Sequence, residues 1–136
     1  MNPGQILTSF VGNISKYGIQ KNFEVVKHSN NIFELRGSLS LFLYIKVRSA
    51  EPYAWGLTKN RLDNFHKQND TYAVILLAGS PEMGYFLTKC DVIYYTKEIW
   101  PLGKDGDYKI KPGIYLERNG PFNSFEEFSE FLTKTE

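Results

Sequence analysis

Glu34, Tyr44 and Lys46 are the residues whose types and spacing best fit a chemical site in this sequence. Glu34 lies on one predicted strand, and Tyr44 and Lys46 lie on the next strand with one residue between them. Side chains two apart on a strand share a face. A carboxylate can bind a hard cation such as Mg²⁺, and the same acid and lysine also suit a charge pair across neighbouring strands. Both interpretations require a hairpin on which Glu34 and Lys46 face each other.

The surrounding sequence predicts that hairpin. Strands are expected at Phe23–Lys27 and Ile32–Arg36, and Gly37-Ser38 is expected to turn into a third strand over residues 39–49. Alternation along this third strand assigns one face to the core, with Leu39, Leu41, Leu43, Ile45 and Val47. The opposite face mixes aromatic and basic groups, which fits either a groove lining or a partly solvated sheet face: Ser40, Phe42, Tyr44, Lys46 and Arg48.

Helices are predicted on both sides of these strands. Apolar residues recur at helical spacing over residues 3–17 and stop before Gly18. Thr58 is expected to cap a second helix that reaches about Gln68. The apolar run Tyr72–Ala78 is typical of a strand buried on both faces.

The last third of the sequence is less regular. Gly84–Thr88 predicts another strand, and Asp91–Ile99 fits either a strand or a short helix. Residues 101–121 predict loops around short strands such as Tyr115–Glu117, and a capping box at residues 124–127 predicts a terminal helix. The whole order predicts a mixed α/β fold, with a mixed central sheet flanked by helices, in a single domain over residues 1–136.

Composition restricts the class of protein. The formal net charge is only +1 over 136 residues, so a polyanion would have to meet a local basic patch. The single cysteine excludes an internal disulfide framework and a cysteine-based zinc site. No stretch reaches the roughly 18 apolar residues of a membrane span, and the first residues lack the pattern of a signal peptide. We therefore expect a cytoplasmic protein without a membrane partner.

Other chemical motifs are missing. The sequence has no phosphate-binding glycine loop and no GxSxG nucleophile turn. Neither His28 nor His66 has metal-ligand spacing, so each is expected to be a surface or rim histidine. Cys90 is expected to be a small buried hydrophobe, and Lys104–Asp107 a plain turn without the ligand count of a calcium loop.

The order and spacing around Glu34, Tyr44 and Lys46 resemble the PD-(D/E)XK nuclease superfamily, which has the restriction-endonuclease-like fold. That family core runs helix, three strands, helix, strand, and matches residues 3–78. The resemblance implies that Glu34 corresponds to the first magnesium-binding acid and Lys46 to the lysine that helps to activate water. Tyr44 then occupies the position of the second acid. Gln5 falls where some members carry a further acid on the first helix.

Tyrosine in place of the second acid changes the expected chemistry. Magnesium prefers carboxylates and waters as ligands, and a tyrosine with a pKa near 10 stays neutral at pH 7. Either another acid has replaced it or the site is inactive. The candidate replacements are Glu51, Asp63 and Glu24.

Basic and aromatic residues also alternate along the predicted third strand and second helix. Lysine and arginine neutralise phosphates, and aromatic rings stack on exposed bases. The nucleic-acid-binding candidates are Arg48, Lys59, Arg61 and Trp55, with Lys46, Tyr44 and Tyr53 beside them. A charged helix exterior with Trp55 packed in the core is the alternative.

Two functions remain open at this stage. The first is a Mg²⁺-dependent endonuclease that hydrolyses DNA, of restriction, junction-resolving or homing type, expected to form a homodimer or larger homo-oligomer. The second is a catalytically inactive module on the same fold that binds nucleic acid or a protein partner. A cluster of two or more carboxylates near Lys46 would favour the enzyme, and a lone Glu34 would favour the binding module.

Overall fold

The computed structural model describes residues 1–134, in which seven strands and four α-helices follow one another along the chain. The strands are β1 (Phe23–Lys27), β2 (Ile32–Gly37), β3 (Leu41–Arg48), β4 (Trp55–Thr58), β5 (Tyr72–Ala78), β6 (Gly84–Thr88) and β7 (Asp107–Ile110). The helices are α1 (Pro3–Lys21), α2 (Lys59–Lys67), α3 (Lys89–Glu98) and α4 (Phe125–Lys134), and a short 3₁₀ helix spans Ile114–Leu116.

Five strands form one mixed sheet in the order β1-β2-β3-β5-β6. The pairs β1–β2, β2–β3 and β5–β6 are antiparallel, whereas β3 and β5 are parallel. A parallel pair needs a crossover connection, and here β4 and α2 provide it. The remaining strands, β4 and β7, form a separate two-stranded ribbon. The expected mixed sheet flanked by helices is confirmed.

Each face of the sheet carries its own hydrophobic layer. On one face α1 and α4 cover the core set that alternation predicted, including Leu41, Leu43 and Ile45. The opposite face is covered by α2, α3 and the β4–β7 ribbon. Both faces are therefore largely buried, which corrects the expectation that Tyr44 lines a groove or a solvated sheet face. No helix within residues 1–134 is long and apolar enough to cross a membrane.

Helix α1 extends past the predicted stop at Gly18 and ends at Lys21. Gly18 is buried, and a Cβ there would lie 2.5 Å from the Phe23 carbonyl oxygen. The glycine allows the helix to approach the start of β1 closely instead of ending the helix. Asn22, in the left-handed conformation at φ 64°, forms the C-cap.

The second half of the chain holds the other differences. The ambiguous 91–99 segment is helical, since α3 starts at Thr88 through a capping box with Asp91. The strand predicted at Tyr115–Glu117 is wrong, because Ile114–Leu116 forms a 3₁₀ helix. Strand β4 was not predicted at all, and Cys90, expected to be buried, is exposed.

Candidate functional site

Tyr44 lies inside the protein. Its side chain is 1% exposed, and its ring packs beside Phe65 of α2 at a centroid distance of 6.4 Å. The phenol oxygen accepts a hydrogen bond of 3.2 Å from the Thr58 backbone N–H, where β4 meets α2. The residue at the second acid position therefore supports the junction between two covering elements.

Glu34 contacts two neighbouring side chains, His28 and Arg36, and is remote from Lys46. Its Oε1 lies 2.7 Å from His28 Nε2 and 2.9 Å from an Arg36 guanidinium nitrogen. The Arg36 guanidinium, with His28 beside it, holds the pKa of the Glu34 carboxyl below its usual value against the opposing effect of partial burial. A carboxylate already bonded to two bases is a poor ligand for magnesium.

The strand register separates Glu34 from Lys46. Glu34 lies opposite Phe42, and Tyr44 lies opposite Ile32. Lys46 is four residues beyond Phe42, which is about 13 Å along the strand at about 3.3 Å per residue. The expectation that Glu34 and Lys46 face each other is wrong.

Gln5 belongs to a different part of the molecule. Its side chain closes the capping box at the start of α1, where its Oε1 accepts a hydrogen bond of 2.9 Å from the Asn2 backbone N–H. Helix α1 covers the face of the sheet opposite to the one that carries Tyr44. The four residues predicted to form one catalytic group thus lie in separate surroundings, and their catalytic roles stay predictions.

Lys46 lines an open groove between the end of β3 and the β4–β7 ribbon. The groove has a volume of about 410 Å³. We call it the Lys46 groove, and its lining residues are Lys46, Ala54, Trp55, Gly56, Asp107, Lys109, Ile110 and Lys111. Three lysines and one aspartate give it a basic character, although Lys109 forms an ion pair of 2.6 Å with Asp105.

Asp107 is the acid that accompanies Lys46 in this groove. Of the replacements considered from the sequence, Asp63 pairs with Lys59 at 2.5 Å on the surface of α2. Glu51 and Glu24 are exposed and do not line the Lys46 groove. Across residues 1–134, no three acidic, histidine or cysteine side chains are grouped closely enough to hold a metal ion.

The predicted nucleic-acid-binding residues divide between two regions. Trp55 lines the Lys46 groove, but its ring is 5% exposed and its indole N–H donates to the Leu77 carbonyl at 3.0 Å. Arg48 is exposed two residues beyond Lys46 on the same strand face. Lys59 and Arg61 lie on α2, and Arg61 lines a second pocket.

This second pocket lies between α2 and the beginning of β3. It has a volume of about 270 Å³. We call it the Arg61 pocket, and its lining residues are His28, Ile32, Phe42, Arg61, Asn64, Phe65, Gln68 and Asp70. His28 lies at its rim, as expected from the sequence, and His66 instead bonds the Tyr72 hydroxyl at 2.6 Å.

The groove residues of β7 were missed because residues 101–121 were assigned mainly to loops. A signal was present in the sequence, since residues 107–111 alternate polar and apolar side chains with the period of a strand. That alternation places Asp107, Lys109 and Lys111 on one side of the ribbon.

No family model and no curated protein matches this chain. Among solved structures, the chain is similar to Hjc of Archaeoglobus fulgidus, a Holliday junction resolvase from an archaeal hyperthermophile. The TM-score is 0.51 over 90% of this chain and 94% of that one. The fold is restriction-endonuclease-like. At 11% sequence identity, the likeness concerns the path of the backbone and not the residues of a site.

Proposed function

We propose that this protein acts on nucleic acid, and that it binds the phosphate backbone through the Lys46 groove. The observation that carries this proposal is the meeting of Lys46, Lys109 and Lys111 in one groove of a chain whose net charge is only +1. Lysines gathered on one surface neutralise neighbouring phosphates and release counterions, which is the main source of sequence-independent affinity. The restriction-endonuclease-like fold supports the same proposal.

Lys46 and Lys111 are the groove lysines to test. Both belong to the described part of the chain, and neither forms an ion pair there, so their ammonium groups are available for phosphate. We expect the Lys46→Ala/Lys111→Ala variant to bind DNA more weakly whatever its sequence. The slope of log K against log salt should become shallower by about 0.9 for each phosphate of duplex DNA that the variant no longer neutralises. Fluorescence anisotropy over a series of salt concentrations measures both quantities.

The matched control is Lys16→Ala/Lys97→Ala. It removes the same total charge from exposed positions on α1 and α3. If both double variants lose the same affinity and slope, general charge explains the binding, and the groove is not the interface. If the parent protein binds no DNA or RNA at low salt, the proposed function is wrong.

Cleavage is a second candidate function, which rests on one carboxylate, Asp107, that lines the groove with Lys46. Magnesium often uses only one or two carboxylates and completes its coordination with water and substrate phosphates. Asp107 is a donor of this kind, whereas the predicted ligand Glu34 is bonded to His28 and Arg36. When bound, the metal would polarise a phosphate or supply hydroxide. This candidate function includes dependence on Mg²⁺ and action as a homodimer.

Plasmid nicking in the presence of Mg²⁺ or Mn²⁺ tests cleavage. For a metal held at the Lys46 groove, Asp107→Asn should abolish nicking, and Glu34→Gln should retain it. The reverse result would support the metal-binding role predicted for Glu34 from the sequence. Asp107→Asn should not weaken DNA binding, since it removes a negative charge from the groove. An inactive parent protein that still binds DNA supports the binding function alone.

A further inference from the structure

The Arg61 pocket has the composition of a site for one flat, polar ring. Its volume of about 270 Å³ lies just under the roughly 300–1,000 Å³ of pockets for drug-sized ligands. Phe42 supplies the accessible aromatic surface, since it remains partly exposed, and the buried Phe65 supports it with ring centroids 5.7 Å apart. An exposed aromatic ring offers a stacking surface to any nucleobase.

A row of polar side chains on α2 borders this aromatic surface. Arg61, Asn64 and Gln68 are spaced three and four residues apart, so they lie on one stripe of the helix. None of their side chains takes part in a hydrogen bond or ion pair with residues 1–134. Their donors and acceptors are therefore available to a ligand.

Arg61 and Asp70 carry opposite charges and both line this pocket, but they do not form an ion pair with each other. Arg61 is in the first turn of α2, and Asp70 follows the end of the helix just before β5. Gln68, the C-cap of α2, is seven positions after Arg61, a distance of about 10 Å along the helix axis. A guanidinium and a carboxylate that line one pocket without pairing can both serve a ligand with acceptors on one edge and donors on the other.

We propose that the Arg61 pocket binds an unpaired guanine of a nucleic-acid strand. Guanine has the N7 and O6 acceptors on one edge, which suit a guanidinium. Its Watson–Crick edge offers the N1–H and N2–H₂ donors, which suit a carboxylate. Adenine and cytosine each carry a single amino group, so neither can offer two adjacent donors to the Asp70 carboxylate. Recognition of a splayed base by stacking and edge contacts is typical of unpaired strands.

The inference rests on the proposed function, because the Lys46 groove would hold the strand that delivers the base. The two features lie at opposite ends of β3, with Phe42 at the start and Lys46 near the end. The separation of about 13 Å along the strand is short enough for one nucleic-acid strand to reach both. The groove would supply affinity, and the pocket would supply base preference.

Four labelled strands test the proposal by anisotropy: oligo-dT itself, and oligo-dT that carries one central dG, dA or dC. We expect the dG strand to bind at least about fivefold more tightly than the others, since a good bidentate contact discriminates by about that factor or more. Asp70→Asn should remove this preference without changing affinity for oligo-dT. Glu98→Gln, a matched loss of an exposed carboxylate on α3, should leave the preference intact.

The outcomes separate the pocket from the groove. The Lys46→Ala/Lys111→Ala variant should weaken binding of all four strands equally and keep the dG preference. Equal affinity for the four strands, or a preference for dA or dC, would overturn the guanine assignment while leaving the groove in place. If no strand binds, the proposed function fails. The pocket is then tested separately by titrating GMP and CMP while the side-chain amide signals of Asn64 and Gln68 are followed by NMR. Saturable shifts with GMP alone would preserve the pocket, and their absence would overturn it.

Discussion

Replacing Tyr44 by an acid is the direct way to ask whether this chain can hold the usual pair of metal-binding carboxylates. Tyr44→Glu would restore an acid two residues before Lys46. The Tyr44 side chain is only 1% exposed, so the new carboxylate would enter the hydrophobic layer under α2. We expect loss of stability without gain of a metal site, because an unpaired charge is costly to bury.

The magnitude follows from what the phenol ring and its hydroxyl contribute. Removing a buried aromatic ring costs about 3–5 kcal/mol when alanine replaces it. The glutamate chain fills part of that space but introduces a charge, so we expect Tyr44→Glu to lower the free energy of unfolding by at least about 3 kcal/mol at pH 7. Tyr44→Phe removes only the hydrogen bond from the Thr58 N–H and should cost about 1 kcal/mol.

Urea unfolding followed by circular dichroism measures both variants. Burial should raise the pKa of the introduced carboxyl in the folded state, so the folded protein retains its proton to higher pH than the unfolded chain does. The stability of Tyr44→Glu should therefore fall further below that of Tyr44→Phe as pH rises from 4 to 8. If the two variants are equally stable at pH 7, or if Mg²⁺ selectively stabilises Tyr44→Glu, the structural reason given for the missing acid is wrong.

Three further substitutions test the sheet and helix α1. Arg36 and His28 lower the pKa of the Glu34 carboxyl, so this carboxylate stabilises the fold at pH values above the usual carboxyl pKa. The urea midpoints of the parent and Glu34→Gln should therefore differ most at neutral pH and converge as pH falls below about 4.3. A Cβ on Gly84 would lie 2.2 Å from the Leu76 carbonyl oxygen, so Gly84→Ala should cost at least about 2 kcal/mol. Gly12→Ala, which enters open space on α1, should instead stabilise by about 0.5–1 kcal/mol in the same urea experiment.

The sequence allowed the central strands to be predicted because their apolar pattern is strong. Alternation identified the face of β3 that packs under α1 and α4, and the continuous apolar run identified β5. The ribbon was harder to predict, since β4 and β7 have four residues each and pair across about fifty residues of sequence. A short strand of this kind is stabilised mainly by its tertiary partner, which local propensity cannot reveal.

The site was only partly predictable for a related reason. Alternation assigns Glu34, Tyr44 and Lys46 to a face, but it does not fix their position along the hairpin or what covers that face. The register places Glu34 opposite Phe42, and α2 with the ribbon covers Tyr44. Asp107 reaches the vicinity of Lys46 only through the β4–β7 pairing, so its place could not follow from local sequence.

The contact between α1 and α4 has a consequence for how the chain acquires its structure during synthesis. The rings of Phe10 and Phe128 pack edge to face, with centroids 4.9 Å apart, although they come from opposite ends of the described sequence. A ribosome produces Phe10 before any strand of the sheet, and Phe128 emerges only after every strand has been made. Until Phe128 is made, apolar side chains on that face of the sheet stay exposed, and exposed apolar surface promotes aggregation. The hydrophobic layer under α1 and α4 is therefore completed last, although α1 precedes the whole sheet in the sequence.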